Sequence, residues 1–153
     1  DVVEKDWVQI MSAGSGLRHE EYNVGEEDVN FLQIWIEPKL QNISPRYQKR
    51  HFPAEKRKNK ITTIVSNEEG TDHCWINQNA KLSLAHAESG STIIYEFSPV
   101  NKCVFIYNIS GKILVEGEEL IARDGIGVWE KSDIPITTEK ESEFLVIEVP
   151  VNH

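Results

Sequence analysis

Cysteine, methionine and long apolar runs are scarce in this sequence of 153 residues. The two cysteines, Cys74 and Cys103, lie far apart and form no Cys-x-x-Cys pair, so neither a zinc knuckle nor a redox motif is indicated. We expect both thiols to be reduced in a cytoplasmic protein. No apolar run approaches the length of about 18 residues that a membrane-spanning helix requires, and the N-terminal residues mix acidic and apolar side chains, unlike a signal peptide. The sequence therefore predicts neither membrane insertion nor export.

Basic residues are also in the minority. Sixteen Lys and Arg stand against 25 Asp and Glu, which gives a formal net charge of −9. Such a chain would repel a phosphate backbone unless its basic residues were concentrated on one face. One basic stretch, between Arg46 and Lys60, is open to two interpretations, a polyanion patch or a solvated linker between β units. We predict the linker, and no binding to nucleic acid.

Helical periodicity is nearly absent. Short β-type segments are broken by turn residues about every ten positions, which is typical of an all-β sandwich or barrel. The predicted strands are 8–11, 31–37, 60–66, 82–86, 92–97, 103–109, 112–115, 125–129 and 143–149. The stretch 37–59 contains three prolines and little alternation, so we predict that it connects two β units.

The most distinctive motif is a glycine-rich run followed by a His-x-Glu pair. The run VQIMSAGSG occupies residues 8–16, and His19 and Glu21 follow it. Two residues apart in a strand, the side chains of His19 and Glu21 would lie on the same face and reach one point. An imidazole and a carboxylate together suit iron, nickel, manganese or zinc. The alternative is a surface strand or turn that binds nothing.

The order of the surrounding elements resembles the signature of the pirin family. The glycine-rich run and the His-x-Glu pair are followed by LQIW at residues 32–35 and PRYQ at residues 45–48. This resemblance implies an all-β, cupin-type double-stranded β-helix. It implies an incomplete first barrel in residues 1–50, the C-terminal portion of an N-terminal cupin domain, and a complete second barrel in residues 51–153.

The resemblance also implies a metal site. His19 and Glu21 would be metal ligands for iron or another divalent transition metal, and Glu21 would in addition be catalytic, as a proton acceptor. The other two ligands of the family form a His-x-His pair on an earlier strand, but no histidine precedes His19. The remaining histidines are isolated, and we expect the second barrel to bind no metal. They are His51, His73, His86 and His153.

Two explanations of the missing pair remain open, a fragment without its upstream strands or a natural half that another chain completes. We favour the fragment, because Asp1 falls just inside the strand that precedes the signature. We expect the chain to be inactive in this form. Open barrel edges would drive homodimerisation or strand exchange.

Two functions follow as expectations. The resemblance implies an iron-dependent dioxygenase of the quercetin 2,3-dioxygenase type in the full-length form, acting on an aromatic or flavonoid small molecule. The alternative is a non-enzymatic, metal-responsive binding protein that acts as a transcription cofactor or contacts an enzyme. An apolar cavity would favour the first and an exposed apolar patch the second. Ile10, Phe31 and Trp35 are candidates to line a cavity, although we predict that they pack in a core.

Overall fold

The computed structural model describes residues 2–150 and confirms the all-β, cupin-type fold. The elements are β1 (Trp7–Ser12), β2 (Arg46–His51), a short 3-10 helix (Ala54–Arg57), β3 (Ile61–Ser66), β4 (Cys74–Trp75), β5 (Lys81–Ala87), β6 (Thr92–Glu96), β7 (Cys103–Val115), β8 (Glu118–Ile121), β9 (Gly125–Trp129) and β10 (Asp133–Val149). Strands β1 and β2 form a two-stranded antiparallel ribbon. The other strands form one sheet in the order β4-β3-β5-β10-β7-β8, with β6 paired to β10 and β9 to β7. No helix within residues 2–150 has the length and apolarity to cross a membrane.

Strands β10 and β7 are the spine of the barrel. The first part of β10 pairs with β6 over residues 133–137, and its second part pairs with β5 over residues 142–148. Register shifts in the β7–β10 ladder bend the pair between these two parts. Gly111 lies at this bend with a φ of +83°, where a side chain would collide with the backbone of Glu141 and Ser142. Glycine is therefore required here for the long strands to change direction.

Successive side chains of β10 point to opposite faces of the sheet and pack into two different hydrophobic clusters. Phe144 and Val146 point into the larger cluster, inside the barrel, while Leu145 points the other way into a smaller cluster. Val8 and Ile10 of β1 pack against that smaller cluster. The ribbon is thus held to the outside of the barrel by apolar contacts on one of its faces.

Both cysteines are free thiols, as predicted. Cys74 is fully buried in the smaller cluster, and burial raises the pKa of its thiol. A buried, protonated thiol is a packing residue rather than a nucleophile.

Most predicted strands are present, and three differences are informative. Residues 31–37 form no strand, because no neighbouring strand pairs with them. Arg46–His51, predicted as part of a connection, forms β2 because it pairs with β1. Residues 133–142 were not predicted as a strand; they contain Pro135 and four charged residues, yet they extend β10 along β6 and β7. The predicted division of the chain at residue 50 stays a prediction, and β2 extends one residue past it.

Candidate functional site

The His-x-Glu pair follows a tight turn at the end of β1. The backbone N–H of Gly16 donates to the carbonyl oxygen of Ala13 at 2.7 Å. Gly14 has a φ of +54°, and a side chain there would collide with the carbonyl oxygen of Ile43. The turn therefore requires glycine and packs closely against the segment that leads into β2.

His19 and Glu21 both lie exposed in a stretch without regular secondary structure. Gln9 Nε2 donates to Glu21 Oε1 at 2.5 Å, and Gln9 Oε1 accepts from Tyr47 Oη at 3.4 Å. Gln9 belongs to β1 and Tyr47 to β2. Since the neighbours of Gln9 along β1 face the smaller core, Glu21 is anchored on the opposite, solvent-facing side of the ribbon.

The donor types of this pair suit a transition metal, but the pair does not complete a site. Imidazole nitrogen and carboxylate oxygen are ligands of iron, nickel and zinc. Within residues 2–150, no group of three or more His, Cys, Asp or Glu side chains is arranged to hold a metal ion. Catalytic metal sites usually take at least three protein ligands, so His19 and Glu21 do not by themselves fix a metal. Their assignment as ligands, and that of Glu21 as catalytic, stays a prediction.

The other histidines have local partners. His51 stacks on Trp7 of β1, with ring centroids 5.2 Å apart. His73 Nε2 lies 2.8 Å from Ser66 Oγ and 3.0 Å from the carbonyl oxygen of Glu68, in a bend just before β4. His86 lies beside the carboxylates of Glu141 and Glu143. His153 lies outside the described residues.

The predicted core packing of three apolar residues is right for one of them. Ile10 packs against the smaller core. Phe31 is 61% exposed and Trp35 is 88% exposed. They belong to a segment, residues 17–40, that leaves many large apolar side chains open to solvent, because it pairs with no strand. These are Leu17, Tyr22, Val24, Val29, Phe31, Leu32, Ile34, Trp35 and Leu40.

A buried arginine at the junction of ribbon and barrel was not predicted. Arg57 Nη2 lies 2.6 Å from Asp6 Oδ1 and 3.2 Å from Glu143 Oε1, while its Nε donates to the carbonyl oxygen of Phe52. His86 Nδ1 lies 3.8 Å from Glu143 Oε1, and His86 Nε2 lies 3.2 Å from a second carboxylate, that of Glu141. Arg57 thus neutralises carboxylates from both sides of the junction. The sequence did not indicate this role, because Arg57 lies in a run of basic residues and such runs are usually solvated.

A second buried polar network lies at the end of the barrel core. The fully buried carboxylate of Glu148 accepts hydrogen bonds from Tyr95 Oη at 2.8 Å, the Ser98 N–H at 3.1 Å and Asn101 Nδ2 at 3.0 Å, and Lys81 Nζ lies 3.7 Å away. Burial opposes ionisation of Glu148, but the hydrogen bonds of Ser98 and Tyr95 outweigh it and hold its pKa below the usual value. Burial, reinforced by the bond to Glu148, raises the pKa of Tyr95.

A sequence signal for this network exists. Glu148 continues the inward-facing alternation of Phe144 and Val146. A carboxylate at such a position must find buried partners. Its donors could not be named from the sequence, because the loop that supplies Ser98 and Asn101 lies about 50 residues away.

Two sequence families match the chain. The sequence-family model described as "Quercetinase C-terminal cupin domain" matches residues 63–149, which is more than half of the chain. The model described as "Pirin" matches residues 1–36, which include the glycine-rich run and the His-x-Glu pair. These two matches cover the barrel and the signature region separately.

Individual relatives agree with the family models. A "Pirin-like protein" of Caulobacter vibrioides is 34% identical over 142 residues, covering 92% of this chain and 61% of its own length. A "Quercetin 2,3-dioxygenase" of Escherichia coli is 29% identical over 143 residues, covering 93% of this chain and 60% of its own length. The chain thus spans about three fifths of these curated relatives.

A solved structure shares the fold. The crystal structure of the bacterial pirin YhhW from Escherichia coli in complex with nickel(II) superposes with a TM-score of 0.68 and 20% identity, covering 75% of this chain and 48% of that chain. With the signature residues, the cupin barrel and the match over residues 63–149 in agreement, the predicted resemblance is confirmed, and the chain belongs to the pirin family of cupin proteins.

Proposed function

We propose that this chain takes part in quercetin 2,3-dioxygenase chemistry, the oxidative opening of a flavonol or related aromatic small molecule, with His19 and Glu21 as two of the ligands of a divalent metal. The proposal rests on one observation: the hydrogen bond from Gln9 to Glu21 holds the His-x-Glu segment against β1. Relatives named quercetin 2,3-dioxygenase and a nickel-bound pirin support the substrate class and a divalent metal. Iron is the metal we expect.

Glu21 has the chemistry for a second task. One of its oxygens, Oε1, is engaged by Gln9. The other oxygen, Oε2, has no hydrogen-bond partner among residues 2–150 and is free to accept a proton from a phenolic hydroxyl. The carboxylate is exposed, so a substrate approaching the open side of the ribbon can reach it.

We infer that the remaining ligands come from outside residues 2–150, because no histidine precedes His19 and these described residues form no three-ligand cluster. We therefore expect the chain alone to bind metal weakly and to leave quercetin unchanged. A polypeptide carrying the part of the Caulobacter vibrioides relative that the match leaves uncovered should restore tight binding.

The experiment is elemental mass spectrometry of the chain purified without chelator, alone and co-purified with that polypeptide. Quercetin consumption is followed by absorbance in parallel. We expect close to one metal ion per complex, and His19→Ala and Glu21→Ala should each lower occupancy at least tenfold. Glu20→Ala and His51→Ala are the matched controls, because both residues are exposed and neither belongs to the proposed ligand set.

Separate outcomes test separate parts of the proposal. Unchanged metal content in His19→Ala and Glu21→Ala would overturn the ligand assignment. A metal-loaded complex that leaves quercetin intact would overturn the dioxygenase activity alone. As a check that needs no complementation, the weak nickel affinity of the chain by itself should fall in His19→Ala and stay the same in His51→Ala.

A non-enzymatic binding role is the second candidate, and the exposed apolar side chains of residues 17–40 favour it. In that case the segment would contact a protein partner or a second copy of the chain. A complex that binds metal, leaves quercetin unchanged and captures a partner through this segment would select the binding role.

A further inference from the structure

A basic cleft lies where the ribbon meets the barrel. It has a volume of about 630 Å³ and is lined by residues of β1, β2, the 3-10 helix and β3. Its cationic lining residues are Lys49, Arg50, Lys56, Arg57 and Lys60. Within the part of the chain that the structure describes, Asp72 is the one acidic residue in its wall. A concentration of positive charge in a chain with a net charge of −9 requires an explanation.

Only part of this charge is neutralised internally. Arg57 is paired with Asp6 and Glu143, so it contributes to the junction rather than to the cleft. The ammonium groups of Lys56 and Lys60 have no ion-pair partner among residues 2–150, and both side chains are exposed. These two lysines therefore leave uncompensated positive charge at the cleft.

The wall of the cleft also contains two orphaned polar atoms. Arg50 Nε and Thr62 Oγ1 are shielded from solvent and have no hydrogen-bond partner. Leaving a buried donor unsatisfied is unfavourable, because the donor has lost its water partner without gaining another. Both residues line the cleft, so an acceptor that reached either atom would satisfy a donor that the protein leaves unpaired.

An aromatic pair lines one side of the cleft. Trp7 and His51 stack with an interplanar angle of 19°, and Lys49 Nζ lies 5.1 Å from the centroid of the Trp7 ring. Lys49 also donates to the carbonyl oxygen of Val2 at 2.8 Å. These contacts fix Lys49 at the rim of the cleft before any ligand arrives, which reduces the ordering that binding requires.

We propose that this cleft binds a small, multiply charged phosphate compound. Lysine ammonium groups are point-charge phosphate ligands, and an arginine N–H and a threonine hydroxyl add directed donors. Several cationic side chains around one cleft match a ligand with more than one negative charge better than a monocarboxylate. The cleft is concave and the rest of the chain is acidic, so a compact anion fits better than a long polyanion.

Isothermal titration calorimetry of the 153-residue chain with inorganic pyrophosphate tests the proposal. We expect one site per chain, with an affinity that weakens severalfold between about 50 and 200 mM salt, because exposed charges are screened. Lys56→Glu/Lys60→Glu should lower the affinity at least about tenfold. The matched control, Lys39→Glu/Lys102→Glu, makes the same change in net charge at exposed lysines that do not line the cleft, and should stay within about twofold.

Equal losses in both charge-reversed variants, or no binding by the parent chain, would overturn the proposal. Thr62→Val gives a second readout, because its hydroxyl makes no hydrogen bond in the protein. Its thermal stability should be unchanged or higher, while its pyrophosphate affinity falls. Self-association of the chain that Lys56→Glu/Lys60→Glu abolishes and pyrophosphate does not disturb would also overturn the proposal. It would show that the cleft holds an acidic segment of a second copy instead.

Discussion

The barrel and the segment of residues 17–40 use the same kinds of apolar side chain with opposite results. In the barrel, Phe144 and Val146 are fully buried between paired strands. In the segment, Phe31 and Trp35 are largely exposed, although residues 31–37 are rich in aromatic and β-branched side chains, which favour strands. The difference lies in the neighbours rather than in the residues.

This contrast shows what a β-pattern needs before it becomes a strand. Alternation and β-propensity describe a side chain that fits a pleated, half-buried surface. They produce a strand only where another strand offers backbone hydrogen bonds and a facing apolar surface. Arg46–His51 has a poorer pattern, but it forms β2 because β1 lies beside it.

The largest test of this contrast truncates one phenylalanine in each region. Phe144→Ala should lower the free energy of unfolding by about 3–5 kcal/mol, because it removes a ring from a closed core. Phe31→Ala should change it by less than about 0.5 kcal/mol. Urea unfolding followed by tryptophan fluorescence measures both. Similar losses in the two variants would mean that Phe31 is buried in solution.

The second largest loss of stability is expected at the junction between the ribbon and the barrel. Arg57→Ala should destabilise the fold by about 2–3 kcal/mol, less than for a fully buried pair because Asp6 and Glu143 are partly exposed. Lys58→Ala is the control; its pair with Glu88 is solvent-exposed, and we expect little change. Thermal unfolding of both variants gives the comparison. An unchanged thermal stability of Arg57→Ala would show that apolar contacts alone hold the ribbon to the barrel.

The Glu148 network predicts a pH dependence. The pKa of Glu148 is lower in the folded chain than its usual 4.5, so the ionised carboxylate contributes stability above that pH, and this contribution is lost as the pH falls through the folded pKa. Glu148→Gln should cost about 1–3 kcal/mol at pH 7 and flatten the acid limb of the stability curve. Glu118→Gln, at an exposed position, should leave the curve unchanged. Urea unfolding between pH 3 and 7 measures both.

The smallest effect on stability is expected for substitutions in the exposed segment of residues 17–40. Their main effect should be on association between chains, which sedimentation measures. Phe31→Ser/Leu32→Ser/Trp35→Ser should barely change the free energy of unfolding, because all three side chains are exposed. If the predicted homodimerisation uses this segment, the triple variant should sediment as a smaller species than the parent chain. Ile94→Ser, which removes an exposed apolar side chain from the barrel, is the control. Identical sedimentation of parent and triple variant would contradict the prediction.

The sequence predicted the fold better than the surroundings of the candidate site. Turn residues and alternation located most barrel strands, since those strands are bounded by Gly, Asn and Ser and find partners within the same chain. The glycines of the signature run form a tight turn, which glycine-rich segments favour. Contacts between distant residues could not be read, such as Arg57 with Glu143 or Asn101 with Glu148, because pairing across the barrel is set by topology rather than by local pattern.

The length of β10 has a consequence for how the barrel is made. This strand of 17 residues pairs with β5, β6 and β7, and its Glu148 lies opposite Lys81 of β5, 67 residues earlier in the chain. During synthesis from the N-terminus, those earlier strands emerge first and wait with unpaired edges. The barrel can therefore close only after β10 has been synthesised, and a nascent chain stalled before residue 133 would expose unpaired strand edges.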